Sequence, residues 1–282
     1  MSEELARSDA RGVPLGAVPA VLAVVIFGGG ALVGAVDTSL HPRLIGGGSV
    51  ATDAWSSTLA DPAFQDAVRF TVWIAIATTL VSVPLAVLLA AAVRRSRLGA
   101  AIAGLPVPMA HVAVAGLVVA WLAPGGLVER VLGSLPIEVV ADPHGLGIVV
   151  TYVAKEVPFL ALVVLAAWDP ATEGRAEVAA ALGAGRMRVL GDVVVPRVAP
   201  ALALASVVVA AFVVGATEVP LVVGASSTET IATWAIDVVR LRGPVGRADA
   251  TVALLIATGL AGALVGLVAL VTLVGRTVRS RR

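Results

Sequence analysis

The sequence predicts an all-α integral membrane protein that crosses the bilayer six times. Composition is the first reason. Hydrophobic residues make up 59% of the 282 positions and charged residues 14%, with a mean hydropathy of +0.99, whereas soluble domains carry about 25% charged residues. Length is the second. A hydrocarbon core about 30 Å thick is crossed by about 20 apolar residues in a helix, and six runs reach that length: Val13 to Val36, Arg69 to Val93, Leu98 to Ala123, Leu146 to Trp168, Val198 to Val223 and Ala250 to Val274. Arginine placement is the third, because cytoplasmic loops keep the positive charges. Arg7 and Arg11, Arg94, Arg95 and Arg97, Arg175, Arg186, Arg188 and Arg197, and Arg276, Arg279, Arg281 and Arg282 would share the inner side. Arg43, Arg69, Arg130, Arg240, Arg242 and Arg247 fall on the outer side. Both termini are therefore expected in the cytoplasm.

The first run follows Arg7 and Arg11 but exceeds the roughly 7 to 15 apolar residues of a signal core and lacks a small-residue cleavage site. It reads as an uncleaved helix. Asp37 to Val68 is a polar, Gly-rich outer segment with Trp55 and Phe64 as interfacial anchors. Leu127 to Leu135 reads as a short amphipathic helix at the outer surface, and Thr228 to Leu241 as a second one.

Charged side chains inside the bilayer are costly unless paired or hydrated, which makes them functional candidates. Lys155 and Glu156 lie well inside the fourth run, just before Pro158. They are either a polar lining or gate of a translocation path, or interhelical tethers that fix packing. Adjacent residues do not share a helix face, so each needs a partner on another helix. Glu218, followed by Pro220 near the outer end of the fifth run, either faces a solute path or marks a helix end. His111, close to Pro106 and Pro108, is a weaker path candidate that reads more simply as a packed, hydrogen-bonded side chain. Thr71, Thr78, Thr79 and Ser82 read as helix-packing hydroxyls.

A polar stretch between Asp169 and Pro200 interrupts these runs. Glu173 to Leu182 is rich in good helix formers, Gly183 supplies a left-handed stop, and Arg186 to Val195 can form a second short helix ending near Pro196. Two short helices meeting at a glycine make a compact knob, with Ala179 and Ala180 small enough for close docking by a partner. The pattern of Glu177 six residues before Gly183, with Pro196 thirteen residues after it, resembles the EAA loop of permease subunits of binding-protein-dependent ABC importers. Glu177, Ala179, Leu182, Gly183, Ala184 and Pro196 match by position. Val178 replaces the usual Ala, and Val193 and Val195 replace the usual Ile and Leu. Phe64 to Arg94, Lys155-Glu-Val-Pro-Phe159 and Glu218-Val-Pro-Leu221 add weaker likeness over Phe64 to Val274.

The resemblance implies a type I ABC importer permease fold. Residues 1–12 would be a cytoplasmic segment, 13–36 an additional helix, 64–275 a five-helix core containing the coupling loop 169–197, and 276–282 a basic cytoplasmic tail. It also implies that Glu177, Ala179, Ala180, Leu182, Gly183, Ala184, Arg186 and Pro196 couple the chain to an ATPase, in a bacterial plasma membrane. The implied partners are two ATPase copies, a second permease subunit and an extracytoplasmic solute-binding protein. ATP and magnesium would belong to the ATPase, since a P-loop needs a Lys beside its glycines and the sole Lys, Lys155, has no glycine pattern before it. Likeness around Glu218 to the spermidine/putrescine, thiamine, iron(III) and molybdate permeases implies a small charged solute.

Other classes find less in the sequence. The absence of cysteine removes disulfides, thiolate metal ligands and cysteine nucleophiles, and a formal charge of +1 gives no nucleic-acid surface. A secondary transporter or channel would work without an ATPase and leave the knob without a purpose. An intramembrane enzyme would have to build its site from His111 and Lys155.

Overall fold

Within a bilayer every backbone N–H and C=O must be satisfied inside its own segment, so the apolar runs become helices. The computed structural model describes residues 17–41, 52–133 and 136–280. In chain order the helices are α1 (Val18–Leu40), α2 (Asp53–Ala60), α3 (Pro62–Val93), α4 (Arg97–Gly104), α5 (His111–Leu122) and α6 (Leu127–Leu132). They continue as α7 (Leu146–Ala167), α8 (Pro170–Ala181), α9 (Arg186–Gly215), α10 (Glu218–Val223), α11 (Ile231–Arg242) and α12 (Arg247–Ser280). Among the described residues there is no strand. Six segments are long and apolar enough to cross a membrane: Val18–Leu40, Pro62–Val93, His111–Leu132, Leu146–Ala167, Arg186–Gly215 and Ile231–Val268. The chain is a multi-pass membrane protein.

The helix starts follow local chemistry. Asp61 caps α3 by accepting the N–H of Ala63, with Pro62 in the first turn. Ser96 caps α4 through Gly99, and Thr230 and Thr233 form a reciprocal capping box on α11. Thr71, Thr79 and Thr151 inside the spans bond back to their own helices, to the carbonyls of Ala67, Ala75 and Gly147, while the Thr78 and Ser82 hydroxyls are buried without a hydrogen-bond partner among the described residues.

Two runs expected as single spans are broken. Pro106 and Pro108 end α4 and leave turns from Leu105 to Met109 before α5 begins, because proline removes a donor and disfavours helical geometry in the residue before it. The fifth run stops at Gly215, and α10 is a separate short helix. The helix that starts at Arg186 does not end near Pro196, either. It passes through a π turn at Leu190–Val194 and continues to Gly215. The π turn sits directly before Pro196, where the missing N–H would otherwise leave a gap in the ladder.

The core lies where α3, α7 and α9 pack on one another, with α12 against α9 and α11. Phe64, Ile74, Ile148, Tyr152, Leu160 and Val198 are buried there. α1 stands at the edge against α12 and buries no apolar side chain. α11 runs antiparallel to the start of α3. Its first N–H, at Ile231, donates to the Thr71 hydroxyl at 2.8 Å, the Trp234 and Phe64 rings lie 5.0 Å apart, and Arg242 reaches Asp61 at 3.5 Å. The segment before the last long helix thus dips into the bundle and returns. Thr71→Val should leave the buried Ile231 N–H unpaired and cost about 1 kcal/mol or more, read as a lowered melting temperature in detergent, while Thr71→Ser should lie near the parent.

Candidate functional site

The polar stretch builds a knob at one end of the bundle. Asp169 accepts the Thr172 N–H at 2.7 Å and starts α8, with Pro170 in its first turn. Hydrogen bonds from the Thr172 side chain and backbone hold the Asp169 carboxyl below the usual carboxylate range. At the other end of α8, Gly183 has φ +88°, its N–H donates to the Ala180 carbonyl, and the Ala184 N–H donates to that of Ala179. These two bonds form a Schellman motif. They turn the chain through Ala184 and Gly185 into α9.

The turn sorts the expected residues onto two faces. Ala171, Gly174, Arg175, Val178, Ala179 and Leu182 line one shallow groove on the open side of α8. On this side Leu182 is 84% exposed and Val178 61%, while Met187, beside the cavity on the other side, is 69% exposed. The other side of α8 faces α3. There Glu173, Glu177, Ala180, Ala184 and Arg186, with Arg94 and Arg95, line a cavity of about 690 Å³. Glu177 is therefore turned toward the arginines at the end of α3. Pro196 lies apart from both faces, exposed in the body of α9.

Residues absent from the sequence expectation complete this end. Arg94 and Glu173 form an ion pair, with both guanidinium Nη atoms engaged. The Arg94 guanidinium lies 4.3 Å from the centre of the Trp168 ring. Burial and the neighbouring Arg95 lower the Arg94 pKa, yet a guanidinium stays charged. Only the cluster of arginines after the second run hinted at this from sequence. Val178 and Met187 look like ordinary apolar residues until their exposure is known.

A second polar group lies inside the bundle, at the break in the third span. Lys155 and Glu156 are adjacent on α7 and reach different partners. The Lys155 ammonium donates to the Val107 carbonyl at 2.8 Å, in the turns that follow α4. Glu156 Oε1 lies 2.9 Å from His111 Nε2, at the first residue of α5. A cation thus meets a backbone carbonyl within the break, and an anion meets the side chain of the residue that opens the next helix. Both residues are 6% exposed. His111 stacks on Phe212 at 4.5 Å and has the edge of Tyr152 at 6.2 Å. Glu218 stays outside these hydrogen bonds, and its carboxylate accepts the Thr217 N–H at 3.3 Å.

Six long apolar segments, a break before α5, a dipping segment before the last helix and a projecting helical knob make up the fold. Two solved structures share it. One is the crystal structure of a bacterial alginate ABC transporter in complex with an alginate pentasaccharide-bound periplasmic protein, with TM-score 0.69 and 22% identity over 89% of this chain and 90% of that one. The other is the crystal structure of a bacterial ABC transporter involved in the import of the acidic polysaccharide alginate, with TM-score 0.68 and 22% identity over 89% and 91% of the two chains. No protein-family model and no curated protein matches this sequence.

Proposed function

We propose that the chain is a permease subunit of an ATP-driven ABC importer, forming half of a solute pathway and coupled to a separate ATPase through the loop from Asp169 to Arg197. The observation that carries this reading is the knob itself. A Schellman turn at Gly183 presents Val178, Leu182 and Met187 to solvent, and a helix that exposes this much aliphatic surface at a polar end gains by docking in a partner's cleft. Ala179 and Gly174 keep the groove shallow enough for close approach. Alternating access then needs the ATPase dimer to close on the knob, ATP and magnesium being held by that partner, while a solute-binding protein delivers cargo from outside. No bond is made or broken in this chain.

On this reading both termini and the knob face the cytoplasm of a bacterial plasma membrane, which the arginine asymmetry supports. A second permease subunit completes the pathway. The fold fits importers of quite different cargo. The likeness around Glu218 speaks for a small charged solute such as a polyamine, thiamine, iron(III) or an oxyanion, while the solved structures of the same fold carry an acidic polysaccharide. Charge is common to both.

A discontinuous span with Lys155 and Glu156 at its break is also a feature of secondary transporters, which need no ATPase. Here each charge is spent on a backbone end or on His111, and the knob has no part in such a mechanism. The two readings separate on one experiment. Leu182→Asp places a charge on the docking tip and should reduce recovery of co-expressed ATPase with the purified permease by about tenfold or more, the effect of burying an unpaired charge in an interface. Equal recovery of the ATPase by parent and variant, or recovery by neither, would count against the coupling assignment.

A further inference from the structure

Arg94 joins three elements that are separate in sequence. It follows the last residue of α3, its side chain is 15% exposed, and both its Nη atoms meet carboxylate oxygens of Glu173 in the first turn of α8. Its guanidinium also lies over Trp168, the residue that ends α7. Arg95 adds a looser contact to Glu173 at 3.8 Å. An exposed ion pair between flexible side chains contributes little, but a forked, partly buried pair stacked on an indole fixes direction as well as charge, which lysine could not reproduce.

The placement matters because α8 otherwise meets the bundle only through its two ends, its packing on α9 and its buried Thr172 and Ala176. It is continuous with α7 through Trp168 and Asp169, it is continuous with α9 through the Gly183–Gly185 turn, and it packs on the π turn of α9. A push on the exposed face of α8 could then be taken up by rotation about these two joints. The ion pair ties the first turn of α8 to α3 instead, and α3 packs along α7, α9 and α11 through the bundle.

We infer that Arg94, Glu173 and Trp168 form a strut that carries displacement of the coupling segment to α3, so that Arg94 and Glu173 are positioning residues of the transport cycle. This rests on the permease reading given above. The strut makes α3 a lever driven from the knob. Without it, docking and hydrolysis continue while the bundle responds less.

The test uses the permease purified with its co-expressed ATPase and needs no solute. The chain has no cysteine, so Leu88→Cys, beside the cavity on α3, gives a single site for a small maleimide. With Arg94 and Glu173 intact, the labelling rate should change on adding ATP and magnesium by about tenfold, a usual size for coupling between two sites. Arg94→Ala and Glu173→Ala should keep the ATPase bound and hydrolysing, yet lose most of that change. Arg94→Lys should be intermediate, and the exchange Arg94→Glu with Glu173→Arg should restore a large part. A full response in Arg94→Ala overturns the strut, as does loss of the ATPase from the single variants or no restoration by the exchange. Failure of the parent complex to form, or to respond to ATP, would instead strike the permease reading itself.

Discussion

Gly183→Val should abolish solute uptake while leaving membrane insertion and the amount of protein unchanged. Gly183 has φ +88° with open space around it, so the obstacle is conformational and not a clash. An L-residue in the left-handed region costs about 1–2 kcal/mol, and a β-branched one is a true outlier there. The lowest-cost escape is to unwind the Schellman turn, which frees the Ala179 and Ala180 carbonyls and swings α8 away from α9. Because α8 is exposed on its outer face, the bundle pays little for this rearrangement, but the docking tip formed by Val178 and Leu182 is dispersed. ATP-dependent uptake in membrane vesicles checks the prediction. Gly183→Ala should retain some transport, and parent-like transport in Gly183→Val would refute a coupling role for the turn.

Glu156→Leu should give the largest loss of stability in the membrane bundle. It strips the carboxylate from His111, while the Lys155 ammonium keeps its bond to the Val107 carbonyl and stays buried. A largely buried group that loses its charged hydrogen-bond partner costs about 1–3 kcal/mol or more, and a cation left buried beside an apolar replacement adds to that. Glu156→Gln keeps a hydrogen-bond acceptor for His111 and should lose less. The double variant Lys155→Met with Glu156→Leu should be more stable than Glu156→Leu alone, with melting temperature in detergent as the measure. Transport by that double variant also separates the two roles open from the sequence. Tethers for a broken span can be replaced by packing, while a polar lining or gate cannot.

The sequence made the bundle legible because bilayer length and apolar content are one-dimensional signals. The runs ending at Val93 and starting at Leu146 have those same boundaries in α3 and α7. Breaks were harder. Pro106 with Pro108 interrupts the third span, yet Pro84, Pro158 and Pro200 sit inside continuous helices. A proline alone does not reveal whether the packing around it will carry the helix through or let it break. Pro196 was read as a helix end for the same reason, and a π turn instead carries the helix past it.

The knob was legible in outline, because Gly183 and its flanking helix formers specify a turn by local chemistry. Its two faces were not. Which side of α8 carries Glu177 and which carries Leu182 depends on how α8 lies against α3, where Arg94 meets Glu173 from 79 positions away in sequence. His111 has no carboxylate near it in sequence, and that of Glu156 comes to it from 45 residues away. Contacts between distant positions leave no trace in a single sequence.

On the proposed function, the knob faces the cytoplasm and meets a separate ATPase. A single cysteine at Leu182 in this cysteine-free chain tests it with a membrane-impermeant maleimide. Labelling should occur in inside-out vesicles and not in right-side-out vesicles, and binding of the co-expressed ATPase should protect the site. Labelling from the external face, or an unchanged rate with the ATPase bound, would contradict the account.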